Sequence, residues 1–140
     1  MLCEVDILGM ETLAKWEKVA FGSAALVITA GSAFGFYLIQ GEPVIKSLVA
    51  SGHNHLLSFA YGGILFGLLL GRIGIAETKK WWLAAWMSLT YLGPIALIYA
   101  GLTGKTGFLM YTSPPLEGSF VVLWALMVYF LLFRRGNSAA

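Results

Sequence analysis

The sequence predicts an all-α integral membrane protein, a bundle of four transmembrane helices forming one domain over residues 1–140, with both termini cytoplasmic. Three observations predict it. The first is composition: 59% of the 140 residues are hydrophobic and 11% charged, with a mean hydropathy of +0.80. Soluble domains carry roughly 45–50% apolar and about 25% charged residues. A chain this short buries only about two-thirds of its surface, so the apolar excess cannot be hidden in a core. The same excess excludes disorder. The second observation is the spacing of charge. No Asp, Glu, Lys or Arg occurs from Val19 to Gly41, Ser47 to Gly71, Trp81 to Gly104 or Gly118 to Phe133. The third is the distribution of basic residues, which separates the two ends of these runs.

The runs define the elements. A membrane helix needs about 20 apolar residues, and its backbone must be satisfied within the segment. Helices are therefore expected at about 19–40, 54–76, 81–103 and 117–134, the last short run being extended by the snorkelling stem of Arg134. Lys15, Lys18, Arg72, Lys79, Lys80, Arg134 and Arg135 fall on one side, with Lys46 and Lys105 on the other. Positive residues favour the cytoplasmic face, which puts both termini and the Arg72–Lys80 loop inside. Trp81, Trp82 and Trp86 sit at the inner end of the third helix as an aromatic belt would. On the outer side, Pro43 suits a first helical position, and residues 44–49 are expected to form a short interfacial helix. Tyr111 to Pro115 reads as an extended turn before the fourth helix. Pro94 is expected to kink the third helix and release the Thr90 carbonyl.

Gly63, Gly67 and Gly71 recur every four residues, as do Gly31 and Gly35. Small residues at this spacing let helix backbones approach. The contact is either within the chain or across a homodimer through Gly63, Gly67 and Gly71, or forms a smooth wall against a flat cofactor.

Several functions are excluded by what is missing. A net charge of +2 with scattered cations gives no nucleic-acid surface. The single Cys3 allows neither a disulfide within the chain nor a multi-cysteine metal site. Glu4 and Asp6 interrupt the N-terminal apolar residues, so no secretory signal is expected. The spans hold no deep acidic or basic residue of the kind that transporters use. Chemistry is left to Gly52-His53-Asn54-His55, which carries both histidines at the outer end of the second helix. Imidazole there is a ligand type for haem iron, copper or zinc. On a regular helix, residues two apart point about 200° from one another. The pair therefore meets one ion only if Gly52 and His53 lie outside the helix. Outer-side partners are Glu42, Glu117, Tyr111 and Asn54; Glu117 also suits a helix start through the dipole.

His53, followed by Leu56-Leu57 and Phe59-Ala60-Tyr61-Gly62-Gly63, resembles the second transmembrane helix of haem–copper oxidase subunit I, closest to its cbb3-type and nitric oxide reductase branches. Gly118-Ser119-Phe120-Val121-Val122 resembles the fourth-helix start of small four-helix proteins related to that subunit. The resemblance covers residues 52–63 specifically and the rest loosely. It implies that His53 is an axial ligand of a low-spin haem b near the outer face, with His55 a second ligand or a partner of the propionates. A full subunit has many more helices and further histidines for a second haem and a copper or iron. His53 and His55 exhaust the supply here, so oxygen or nitric oxide reduction by this chain alone is not expected. A partner copy or Met110 would supply a second axial ligand, or the haem would be five-coordinate.

The function expected is haem b binding in a prokaryotic cytoplasmic membrane, in electron transfer or in contact with quinol, a small gas or a respiratory-chain partner. Two alternatives stand beside it. One is a copper or zinc site of His53, His55, Glu42 and Glu117. The other is a cofactor-free accessory subunit that joins a membrane complex through its glycine faces.

Overall fold

The computed structural model describes residues 13–40 and 43–133, with residues 36–40 described in their backbone alone. The described chain is helical, with no strand: α1 (Lys15–Gln40), α2 (Lys46–Leu70), α3 (Glu77–Thr90), α4 (Leu92–Thr103) and α5 (Leu109–Phe133). Helices α3 and α4 are two halves of one rod, so the described residues form four rods. Three stretches are long and apolar enough to cross a membrane: Lys15–Gly35, Glu77–Thr103 and Leu109–Phe133. The remaining rod, α2, is as long but carries Lys46 and the His53-Asn54-His55 run in its first half. Large apolar side chains, among them Leu26, Leu68, Val121 and Leu132, face outward.

The breaks differ from expectation in three places. First, α2 begins at Lys46 and runs unbroken through Gly52 and His53, so residues 44–49 form no separate interfacial helix. Gly52 does not end the helix because it is where α4 crosses. A methyl group there would lie 2.7 Å from the Pro94 carbonyl oxygen and 2.9 Å from the Ile98 amide nitrogen. One turn further out, a methyl on Gly101 would meet the Ile45 carbonyl at 2.9 Å. The Ile45 amide in turn donates to the Gly101 carbonyl at 2.8 Å. Second, α2 ends at Leu70 and not near residue 76, and the chain turns through Arg72 and Ile73.

Third, Tyr111 to Pro115 is not extended: α5 starts at Leu109 and includes Pro114 and Pro115. The carbonyls that these prolines leave without an intrahelical donor belong to Met110 and Tyr111. Both residues are highly exposed at the helix end, where the surroundings can serve their carbonyls. Side chains tie the turn down as well, with Thr112 Oγ1 donating to the Phe108 carbonyl at 3.2 Å.

The third rod does break near Pro94, at Tyr91, which separates α3 from α4. The break serves packing: α1 lies along α2 and α3, whereas α4 lies along α2 and α5. The larger core cluster sits around α3, formed by Trp16, Ala20, Phe66, Leu70, Ile73, Ala84, Met87, Leu123 and Met127. A smaller one joins Leu56, Tyr91 and Ile98. At the α1 start, Glu17 accepts from the Ala14 amide at 2.7 Å, satisfying one orphan donor. Nearby, Trp16 Nε1 and Lys80 Nζ donate to Glu77 at 2.7 and 2.9 Å, pinning α1 to α3.

The glycine stripe is spent inside the chain. Gly63 faces the Tyr91 hydroxyl, and a methyl on Gly67 would lie 3.2 Å from the Ala20 methyl. Gly63 and Gly67 are buried, so the expected homodimer contact through Gly63, Gly67 and Gly71 has no free surface at two of its three positions. Close approach within one chain accounts for Gly63 and Gly67, while Gly71 is exposed.

Candidate functional site

Because α2 is continuous through residues 52–55, its two histidines diverge, and each meets a different rod. His53 turns toward α1. A methyl on Gly35 would lie 3.2 Å from its Cε1 and 3.4 Å from its Nε2, so that ring edge rests on the Gly35 backbone. Its Nδ1 is buried and has no hydrogen-bond partner among the described residues. His55 turns toward α5, where its Nδ1 lies 3.5 Å from Glu117 Oε1. That is an electrostatic contact, too long to count as a good hydrogen bond. The nitrogen is otherwise without a partner and is itself shielded, although the side chain as a whole is 45% exposed.

Glu117 is held from behind. Ser113, one turn earlier on α5 and nearly buried, donates from Oγ to Glu117 Oε1 at 2.7 Å. The close passage of Gly93 on α4 makes room, since a methyl there would lie 3.4 Å from Glu117 Cγ. The His55 ring is parallel to Phe59, with centroids 6.2 Å apart and an interplanar angle of 1°. Phe59 stacks on Phe120 at 4.0 Å. Phe120 in turn lies on Gly62, where a methyl would meet its ring at 2.7 Å. The result is a partly exposed imidazole with a carboxylate near Nδ1 and the Phe59–Phe120 stack beside it.

Chemically, this arrangement can orient one imidazole. A carboxylate near Nδ1 favours a proton on that nitrogen electrostatically, and so biases Nε2 toward its lone-pair form. It does not assemble a cage. Among the described residues, no three His, Cys, Asp or Glu side chains are grouped to hold a metal ion. The copper or zinc set of His53, His55, Glu42 and Glu117 is therefore not brought together as expected. His55 and Glu117 meet, His53 faces another rod, and Glu42 lies outside the described residues, as do Cys3, Arg134 and Arg135. Asn54 and Tyr111 are exposed, and neither hydrogen-bonds to Nδ1 of either histidine.

Comparison with protein-family models, with curated proteins and with solved structures finds no match for this chain.

Sequence reasoning named His55 and Glu117 but missed Ser113. The signal was available, since Ser113 and Glu117 are four apart, the spacing at which helical side chains meet. Reading 111–115 as an extended turn hid it.

Proposed function

We propose that the chain is a four-span integral membrane protein that binds haem b at the outer end of α2, with His55 as the axial ligand and Glu117 orienting it. The observation that carries this reading is the His55–Glu117 contact, which biases Nε2 of a partly exposed ring toward its lone-pair form. The residues present fit one axial position. The shielded Nδ1 has a carboxylate within 3.5 Å, and the Phe59–Phe120 stack gives the imidazole an apolar flank. His53, the histidine favoured by the resemblance to haem–copper oxidase subunit I, suits the role less well because its Nε2 edge abuts Gly35. Bound haem b would supply a one-electron couple, in line with electron transfer or with quinol or gas contact near the outer face. The chain's own work would be to bias the His55 ring electrostatically through Glu117, to hold Glu117 through Ser113, and to flank the imidazole with Phe59.

The membrane placement rests on three apolar rods of spanning length and on the basic residues gathered at one end. Their gathering supports a cytoplasmic location for both termini. Visible spectra of the chain purified in mild detergent, oxidised and then dithionite-reduced, test the reading. A Soret band with sharpened α and β bands on reduction is expected, and His55→Ala should abolish it while His53→Ala leaves most of the haem. A featureless spectrum after growth with haem precursor would overturn haem binding. Unchanged haem content in His55→Ala would overturn the ligand assignment alone.

A further inference from the structure

At the end of the bundle opposite the histidines, α3 and α5 pack through Ala84, Met87, Leu123 and Met127 and flare apart only at their outer edges. An open groove of about 550 Å³ runs between them, walled by Lys79, Trp82, Trp86 and Leu89 of α3 and Leu126 and Phe130 of α5. Positions 79, 82, 86 and 89 make one helical face. Ten residues at about 1.5 Å each give a length near 15 Å, which is half of a hydrocarbon core of about 30 Å. The groove is thus one leaflet deep. Its wall is almost wholly apolar, and its single cation stands at one end. That end bears the exposed Trp81, Trp82 and Trp86, whose amphipathic rings suit the headgroup level. The neighbouring lysine is occupied, since Lys80 pairs with Glu77 at 2.9 Å and lies 5.4 Å from the Trp16 ring centre. Lys79 is exposed and has no ion pair among the described residues.

We propose that this groove is a binding site for an anionic phospholipid, with one acyl chain lying along α3 against Leu126 and the phosphate on Lys79. An apolar channel one leaflet deep matches the chain, and the unpaired ammonium at its interfacial end matches the negative headgroup. A zwitterionic lipid would fill the same channel but bring no net charge to Lys79. The inference rests on the membrane reading and is independent of haem.

The test is native mass spectrometry of the full chain, purified in detergent and offered equal amounts of dioleoyl phosphatidylglycerol and dioleoyl phosphatidylcholine. The wild type should retain the anionic lipid about fivefold over the zwitterionic one, which is ~1 kcal/mol at 1.4 kcal/mol per tenfold. Lys79→Ala should bring the ratio to about one, and Lys79→Arg should keep it. Ala85→Phe, which fills the groove wall, should cut retention of both lipids several-fold with helix content unchanged. Equal retention by the wild type, or a preference that survives Lys79→Ala, would overturn the site. Recovery of the chain in the soluble fraction without detergent would instead overturn the membrane reading on which it rests.

Discussion

A handful of side chains decide how closely the rods approach and what their polar groups meet. Gly52 is the most constrained, because any Cβ there would collide with backbone that cannot swing away. Overpacking of this kind costs about 1–3 kcal/mol, so Gly52→Ala should lower the unfolding midpoint in detergent; an unchanged midpoint would show that α4 can slide. Gly63 differs, since its obstacle is the Tyr91 hydroxyl, a side-chain atom. Gly63→Ala should destabilise the chain alone but much less in a Tyr91→Phe background, and the double-mutant cycle reads that coupling directly. At the His55 face, partners that orient a ligand are worth about 10–100-fold in metal affinity. Glu117→Gln should therefore weaken haem retention by at least about tenfold in a titration with free haem, leaving helical content intact.

At the scale of the element, the decisive feature is the break at Tyr91. Pro94 has no amide hydrogen for the Thr90 carbonyl, so the rod cannot run on as one α-helix. On the two sides of the break α3 packs chiefly on α1 and α5, and α4 on α2 and α5. Replacing Pro94 by Ala restores the missing donor and favours a straight rod, which would pull Ile98 and Gly101 away from α2. We expect Pro94→Ala to lower stability by about 1–2 kcal/mol despite its better helix propensity, a comparison with Ala as the best helix former that a melting curve settles. A gain in stability would mean that the bend is imposed by packing and not by the proline. The prolines of α5 act otherwise, since they stand near an exposed end and leave the helix continuous.

For the whole molecule, the bundle is held by close glycine contacts and two core clusters, while its outward surface is apolar nearly all round. The orientation is open to a direct check. In a Cys3→Ser background, an impermeant maleimide added to intact cells should label Lys105→Cys and spare Thr78→Cys until the membrane is opened; the reverse pattern would invert the topology. Much of this architecture is legible in the sequence, because charge-free runs and basic clusters report a solvent preference residue by residue. The four rods and the interruption near Pro94 are of that kind. Helix ends were less legible: Pro114 and Pro115 look like a turn, yet an exposed helix end tolerates the carbonyls they strand. Partner choice was not legible at all. That the glycine stripe packs within the chain, that Gly52 and Gly101 form the α2–α4 crossing, and that His53 and His55 face different rods depends on the rotation of each helix about its axis. Sequence spacing defines the faces of a helix, but only packing against the other rods decides which neighbour each face meets.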